Sequence, residues 1–208
     1  MSLWGRVFAA GYDRVMAGTE KAGLAARRRA LLAGVRGHVL EIGGGTGANL
    51  EHYPAAVEEL VVTEPEEPMA RRLERKADGA AMNVRVVRAP AEALPFDDDS
   101  FDFAVSTLVL CTVPDQARAL AEIRRVLKPG GRLVFIEHVR AADGERLARW
   151  QDRLNPLQQR IGCGCNCNRD TLAAIQTAGF APDDVEHGRL EKAPPFVRPL
   201  IAGTAQRT

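Results

Sequence analysis

The stretch Val39-Leu40-Glu41-Ile42-Gly43-Gly44-Gly45-Thr46-Gly47 runs from an apolar segment straight into a cluster of glycines. A short, mostly apolar run of this kind reads as a strand covered on both faces, the kind found in parallel sheets. Glycines directly after it let the backbone turn sharply and approach a ligand where a side chain would intrude. Such a turn is expected to open a helix. With Ala48 the loop also fits the relaxed dinucleotide pattern G-x-G-x-x-A, so the glycines alone leave two kinds of nucleotide ligand open. Glu41 favours one of them, because a carboxylate beside the loop suits a cationic amino group better than a pyrophosphate.

On either side of the loop, β-branched and apolar runs alternate with helical spacing. The runs are His38 to Ile42, Leu60 to Thr63, Val84 to Val87, Phe101 to Thr107 and Leu133 to His138. Strand and helix in alternation predict a parallel sheet with helices on both faces. The intervening helices are expected over Pro65 to Ala77 and Asp115 to Leu127, the second opening on an Asp cap and stopping at Lys128-Pro129-Gly130-Gly131. Beyond His138 the pattern predicts a charged helix carrying Trp150 and broken at Pro156, a cysteine-rich loop, and a helix from Asp170 to Ala178. Val185 to Leu190 and Leu200 to Thr204 then close the sheet as an antiparallel pair. Ahead of the sheet, Val7, Phe8, Tyr12, Val15 and Met16 recur at helical spacing, and Gly18 and Gly23 divide the segment into two short helices.

The 208 residues suit one domain. The 28 Lys and Arg against 27 Asp and Glu leave a net charge of +1, so no long-range field draws nucleic acid. Arg27-Arg28-Arg29 reads as a solvated helix face. No apolar run reaches bilayer-spanning length and no leader pattern opens the chain, which predicts a soluble cytoplasmic protein. Four cysteines, three of them in Cys163-Gly164-Cys165-Asn166-Cys167, do not form the framework of a small secreted domain, and free thiols are expected.

At the end of the second strand stands Glu64, where a carboxylate can accept both hydroxyls of a ribose. Four segments now come together: Glu41 to Gly47, Thr63-Glu64-Pro65 with Met69, Ala93-Leu94-Pro95-Phe96-Asp97-Asp98-Asp99-Ser100-Phe101-Asp102, and Leu127-Lys128-Pro129-Gly130-Gly131. Together they resemble class I S-adenosylmethionine-dependent methyltransferases of the ubiquinone/menaquinone-biosynthesis superfamily. That resemblance implies an α/β, Rossmann-like, seven-stranded and mostly parallel sheet with an N-terminal helical segment. It implies one domain over 1–208, with a helical lid over 1–36 and a core over 37–208 that carries an acceptor-side insertion near 140–170. The cofactor implied is S-adenosyl-L-methionine, with Gly43, Gly45 and Gly47 beside its methionine portion near Glu41, Glu64 on the ribose and Met69 against the adenine. Family members carry an Asp after the third strand for the adenine amino group. Here that position is Pro90, so the role passes to the Ala91 backbone and the Glu92 side chain.

A narrower resemblance rests on Ser106 to Val113, Phe135 to Val139, Gly164-Cys165-Asn166-Cys167-Asn168-Arg169-Asp170 and Val197-Arg198-Pro199. These segments are similar to the membrane-associated alkyl-thiol methyltransferases, without the amino-terminal anchor of that group. The likeness implies a small lipophilic acceptor, a thiol first, met in a pocket that includes Tyr12 and Cys165. No stable membrane insertion is expected; Leu3, Trp4, Val7 and Phe8 read first as the apolar face of an amphipathic helix packed over the cofactor, with peripheral membrane contact as the alternative. His138, at the end of the fifth strand, is the candidate base, and strand alternation allows only one of Glu137 and His138 to face the site. No metal is expected, because the cysteine spacing departs from that of structural zinc sites. Three close thiols keep arsenite or another metalloid open as acceptor, beside quinone-like phenols. Other classes also stay open: a non-catalytic cofactor-binding sensor or partner protein, and a nicotinamide-dependent oxidoreductase. Asn168 and Asp170 are candidate helix caps, with Arg169 bracing the loop against a carboxylate or the chain's carboxyl end.

Overall fold

The computed structural model describes residues 3–142 and 145–208, with side chains from residue 11 onward. The N-terminal Leu3, Trp4, Val7 and Phe8 side chains therefore lie outside the described set. As expected, five strands run parallel: β1 (Gly37–Ile42), β2 (Val57–Thr63), β3 (Val84–Val87), β4 (Phe101–Thr107) and β5 (Leu127–His138). The last strand, β7 (Pro199–Arg207), lies antiparallel between β5 and β6 (Phe180–Arg189), giving seven strands in the order β3-β2-β1-β4-β5-β7-β6. The order reverses direction between β1 and β4, and there the loops leaving the carboxyl ends diverge and open a crevice.

The helices are α1 (Leu3–Thr19), α2 (Ala25–Leu32), α3 (Glu67–Ala77), α4 (Gln116–Val126), α5 (Arg146–Ile161) and α6 (Thr171–Thr177). Period-2 alternation sends Leu40 and Ile42 of β1 to one face, against Leu120 and Ile123 of α4 and Ile175 of α6. Val39 goes to the other face, with Leu32 of α2 and Leu73 of α3. Asp115 caps α4 by accepting from Arg118 N at 3.0 Å, and Asp170 caps α6 by accepting from Ala173 N at 3.0 Å. Asn168 instead donates to Asp152.

Several local expectations are corrected. Gly18 lies inside α1, and the chain bends at Gly23 (φ 133°), within a π-helical turn over Glu20–Leu24. A helix interior tolerates a glycine, whereas a positive φ there is what redirects the chain. No α-helix follows the glycine loop: bonds from Gly47 N to Gly44 O, Leu50 N to Gly47 O and His52 N to Asn49 O make successive tight turns ending in a 3₁₀ turn at Leu50–His52. Helix α3 begins at Glu67, not Pro65, because Glu64 accepts from Glu66 N and holds a turn ahead of it. Lys128 to Gly131 does not precede β5 but is absorbed into it as a bulge: Phe101 pairs with Leu127, and the next pair is Phe103 with Arg132.

Helix α5 runs unbroken through Pro156. Proline removes one N–H and crowds the preceding turn, yet the fully buried Gln151 pins the helix from its other side. Its Oε1 accepts from Ala141 N at 2.7 Å, and its Nε2 lies 2.8–3.0 Å from the carbonyl oxygens of Val139, Cys167 and Phe196. One side chain thus joins the end of β5, the cysteine loop and the approach to β7. Gln151→Leu keeps the volume but strands these buried backbone groups, and should lower stability by about 3 kcal/mol in urea titration. A midpoint equal to wild type would show that the four contacts contribute nothing net.

Candidate functional site at the carboxyl ends of β1, β2 and β4

The glycine loop crosses from β1 to the end of β2, where Gly44 N donates to Thr63 O at 2.9 Å. At Gly43 an added Cβ would lie 2.7 Å from Val109 in the loop after β4, so only glycine lets the two loops meet. Gly45 adopts φ +58°, and an added Cβ there would meet nothing within 4 Å: the space before it is open. Gly47 shares the left-handed conformation (φ 79°), with Lys76 Nζ donating to its carbonyl at 2.7 Å. Glu64, buried, accepts from Gly45 N through Oε2 and from Glu66 N through Oε1, each at 2.9 Å. Burial raises its pKa, and the two N–H groups oppose that rise.

Glu41 sits in a buried polar chain that spans three segments. Tyr53 Oη donates to its Oε2 at 2.7 Å and Asn49 Nδ2 to its Oε1 at 3.0 Å. Asn49 Oδ1 accepts from Arg28 Nη1 at 2.9 Å, and Arg28 is paired with Glu20 at 2.9 Å. The expectation that Arg27 to Arg29 is a solvated face is therefore corrected for Arg28, which is only 4% exposed. Its phase explains why: Leu24, Arg28 and Leu32 stand at i, i+4 and i+8 on the inward stripe. Sequence reading missed Arg28, Asn49 and Tyr53. Helical phase was the signal for Arg28, while Asn49 and Tyr53 follow a loop and carry none.

Met69 is buried on the first turn of α3, and Ala91 is buried in the loop after β3. The Glu92 side chain is directed to the start of α4, where Oε1 accepts from Asp115 N at 3.2 Å. Half-buried Tyr12 lies near Arg28, Glu20 and Cys111, and burial pushes its hydroxyl up to about 12. Beside it, Asp13 Oδ1 accepts from Thr46 Oγ1 at 2.6 Å, latching α1 to the glycine loop.

On the other side of the crevice, Glu137 is fully buried and organises the loop after β4. Its Oε1 accepts from Ser106 Oγ (2.6 Å), Val109 N (3.1 Å) and Leu110 N (3.0 Å), and its Oε2 from Cys111 N (3.2 Å). Strand alternation sends His138 to the opposite face, against the Val197 and Pro199 backbone, where burial lowers its pKa to about 4. His138 Nδ1 is buried with no hydrogen-bond partner among the described residues. The three clustered cysteines separate. Cys163 is exposed, Cys167 is buried in the core with Leu24 and Val197, and Cys165 faces Cys111, sulfur to sulfur, at 4.0 Å. Their shared contact and burial push the Cys111 thiol well above its ordinary range. Among the described residues no group of three or more His, Cys, Asp or Glu is placed to hold a metal. Arg169 braces carbonyl oxygens and not a carboxylate: its Nη1 donates to Leu110 O and Val113 O, both at 2.8 Å. The Cys111 contact was not anticipated, since Cys111 lies in a buried run far along the chain.

The Methyltransferase domain family matches residues 40–135. Thiol S-methyltransferase TMT1B of Rattus norvegicus is 37% identical over 174 residues, covering 80% of this chain and 69% of that protein. The chain belongs to the class I S-adenosylmethionine-dependent methyltransferases. Thiol S-methyltransferase TMT1A of Homo sapiens is 34% identical over 178 residues (80% and 69%). Ubiquinone/menaquinone biosynthesis C-methyltransferase UbiE of Idiomarina loihiensis is 40% identical over 104 residues, 48% of this methyltransferase and 41% of UbiE. A crystal structure from Thermotoga maritima described as a SAM-dependent methyltransferase, possible histamine N-methyltransferase, superposes over the full length of both chains with a TM-score of 0.72 at 23% identity, which speaks to the fold. This methyltransferase is an enzyme, and its cofactor is S-adenosyl-L-methionine. The nicotinamide-dependent and sensor readings fall away.

Glu41 lends the methyltransferase a pH signature. Burial is the largest influence on it and raises its pKa from 4.5 to about 7, against the opposing hydrogen bonds of Tyr53 and Asn49 and the charge of Arg28. Between those two values the native state keeps a proton that the unfolded chain has released, so stability falls as pH rises through the window. Glu41→Gln should flatten that fall and gain most, relative to wild type, near pH 8. Denaturant midpoints at both ends of the window measure it; parallel wild-type and variant profiles would remove Glu41 as the cause.

Proposed function

We propose that this methyltransferase passes the methyl group to a small, mainly apolar thiol. The observation that carries this reading is the extent of likeness. A match of 174 residues to a thiol S-methyltransferase reaches well past the methyltransferase-domain core at 40–135, into α5 and the cysteine loop, whereas the 104-residue match to UbiE has no need to. The dispersal of Cys163, Cys165 and Cys167 disfavours a metalloid acceptor, which would be held by converging soft thiolates.

The open space before Gly45, flanked by Gly43 and Gly47, suits the methionine portion of the cofactor. Glu64 gives one lone pair of each oxygen to a backbone N–H and keeps others for the ribose hydroxyls. Glu41 lies beside the loop, ready to balance an ammonium group, Met69 offers an apolar wall to the adenine, and Ala91 offers backbone. The Glu92 side chain is engaged at Asp115, so its part here falls to its backbone. We read residues 1–36 as a lid latched through Asp13 and Thr46, and residues 140–170 as the acceptor-side insertion of a single domain.

When bound, the cofactor supplies an electrophilic methyl group, so the protein's work is alignment and exclusion of water. Tyr12 and Cys165 are assigned to the acceptor pocket. His138, the candidate base of the sequence reading, lies on the face of β5 turned away from Glu137 and the loop after β4, with its Nδ1 buried, and is not assigned to the incoming thiol. Its pKa of about 4 argues against storing the proton: a transfer from a thiol near 8.5 is uphill by about 6 kcal/mol. The substrate therefore enters increasingly as thiolate when pH rises.

Incubation with radiolabelled S-adenosylmethionine and a panel of alkyl thiols, phenols, amines and arsenite tests the acceptor class. Labelled thioether from the thiols, at a rate rising towards the thiol's own pKa, is the expected result; labelling of phenols or arsenite alone would overturn it. Glu64→Ala should weaken cofactor binding by about 1.5 to 3 kcal/mol, the scale for hydrogen bonds to a charged group. A folded variant with wild-type affinity in calorimetric titration would take Glu64 off the ribose.

A further inference from the structure

Helix α5 packs inward through Ala148 and Gln151, and Asn155 Nδ2 donates to Asn166 Oδ1 of the cysteine loop at 3.1 Å. Its outward side carries Trp150, Leu157 and Ile161, which are 61%, 54% and 46% exposed. These are three of the four large apolar side chains exposed among the described residues. With half-buried Leu154 they stand at i, i+4, i+7 and i+11, one stripe along one face. Arg146, Arg149, Arg153 and Arg160 follow one flank of that stripe. All four are exposed, and none has an ion-pair partner among the described residues. The helix's one acid, Asp152, lies away from the stripe and is held by Arg140 and Asn168. In a chain of net charge +1, four unpaired arginines on one helix are a local concentration of charge.

We propose that this face of α5 docks the protein onto an anionic lipid bilayer. A tryptophan with aliphatic neighbours enters the interface between headgroups and acyl chains, while the arginine row meets anionic headgroups. A second copy of the chain suits the surface less well: an antiparallel pairing of two such stripes would bring both arginine rows to the same flank, charge against like charge. Docking in this orientation places the helix between the bilayer and the cysteine loop, so the acceptor side of the crevice lies close to the phase in which apolar molecules collect. The proposal concerns attachment and holds whatever the acceptor is.

The test uses the full chain with Trp4→Phe, which leaves Trp150 as the only tryptophan. It should sediment with vesicles of mixed phosphatidylcholine and phosphatidylserine, with blue-shifted Trp150 emission and less binding as salt rises, and should not sediment with phosphatidylcholine alone. Arg149→Gln, Arg153→Gln and Arg160→Gln combined should weaken partitioning roughly a hundredfold, about fivefold for each arginine. Trp150→Ser, Leu157→Ser and Ile161→Ser combined should abolish it with circular dichroism and S-adenosylmethionine affinity unchanged. The proposal is overturned if the wild-type chain ignores phosphatidylserine vesicles, or if the serine variant binds them as wild type does. It is equally overturned if the wild-type chain is a dimer in solution that the serine variant dissociates, which would assign the face to a second copy.

Discussion

The buried polar chain from Glu20 through Arg28, Asn49 and Glu41 to Tyr53 is the constraint on which the crevice rests. It joins the N-terminal helices, the turns after the glycine loop and the end of β1 in one hydrogen-bonded line. None of its charged members is stable alone in such surroundings, since an unpaired buried charge is costly and pairing offsets that cost only with good geometry. Each link therefore fixes its neighbour. Arg28 settles where α2 lies against the sheet, and Asn49 sets the path of the turns. Asn49 Nδ2 also reaches Thr107 Oγ1 at 3.1 Å, which ties β4 to the same line.

Glu137 plays the corresponding part on the far side of the switch point. A carboxylate that gathers three consecutive backbone N–H groups and a serine hydroxyl holds the loop after β4 in a path the backbone would not take unaided, including the left-handed φ of 60° at Leu108. That loop in turn presents Val109 to Gly43 and Cys111 to Cys165. Two buried carboxylates, on the strands either side of β4, thus anchor the loops that flank the crevice. Methyl transfer asks little dedicated acid or base chemistry of a protein and much positional accuracy, and acids used as anchors for backbone are consistent with that demand.

The strands and their order of appearance were legible because a parallel sheet buried on both faces must be written in short apolar runs, as in Val39 to Ile42 and Phe101 to Thr107. The glycine loop was legible for the same kind of reason, a backbone that turns through positive φ at Gly43, Gly45 and Gly47 and meets Val109 where a side chain would not fit. Helix α4 announced itself through Asp115, a cap whose hydrogen bond is local. What is local in the chain is written locally in the sequence.

Long-range contacts settled everything else. Pro156 reads as a break, but Gln151 binds groups from β5, the cysteine loop and the approach to β7, and those ties hold α5 together through the proline. Three neighbouring cysteines read as one cluster, yet alternate side chains on a turning loop point apart, and Cys165 finds its partner 54 residues away. Arg28 reads as a surface charge until the docking of α2 turns it inward, and the choice between Glu137 and His138 was fixed by which face of β5 meets the loop after β4. The sequence by itself determined the fold class and the position of the glycine turn, because periodicity and glycine are local signals. Only the tertiary structure decided which charges are buried and which thiols meet, because burial and pairing depend on segments that approach one another only after the chain has folded.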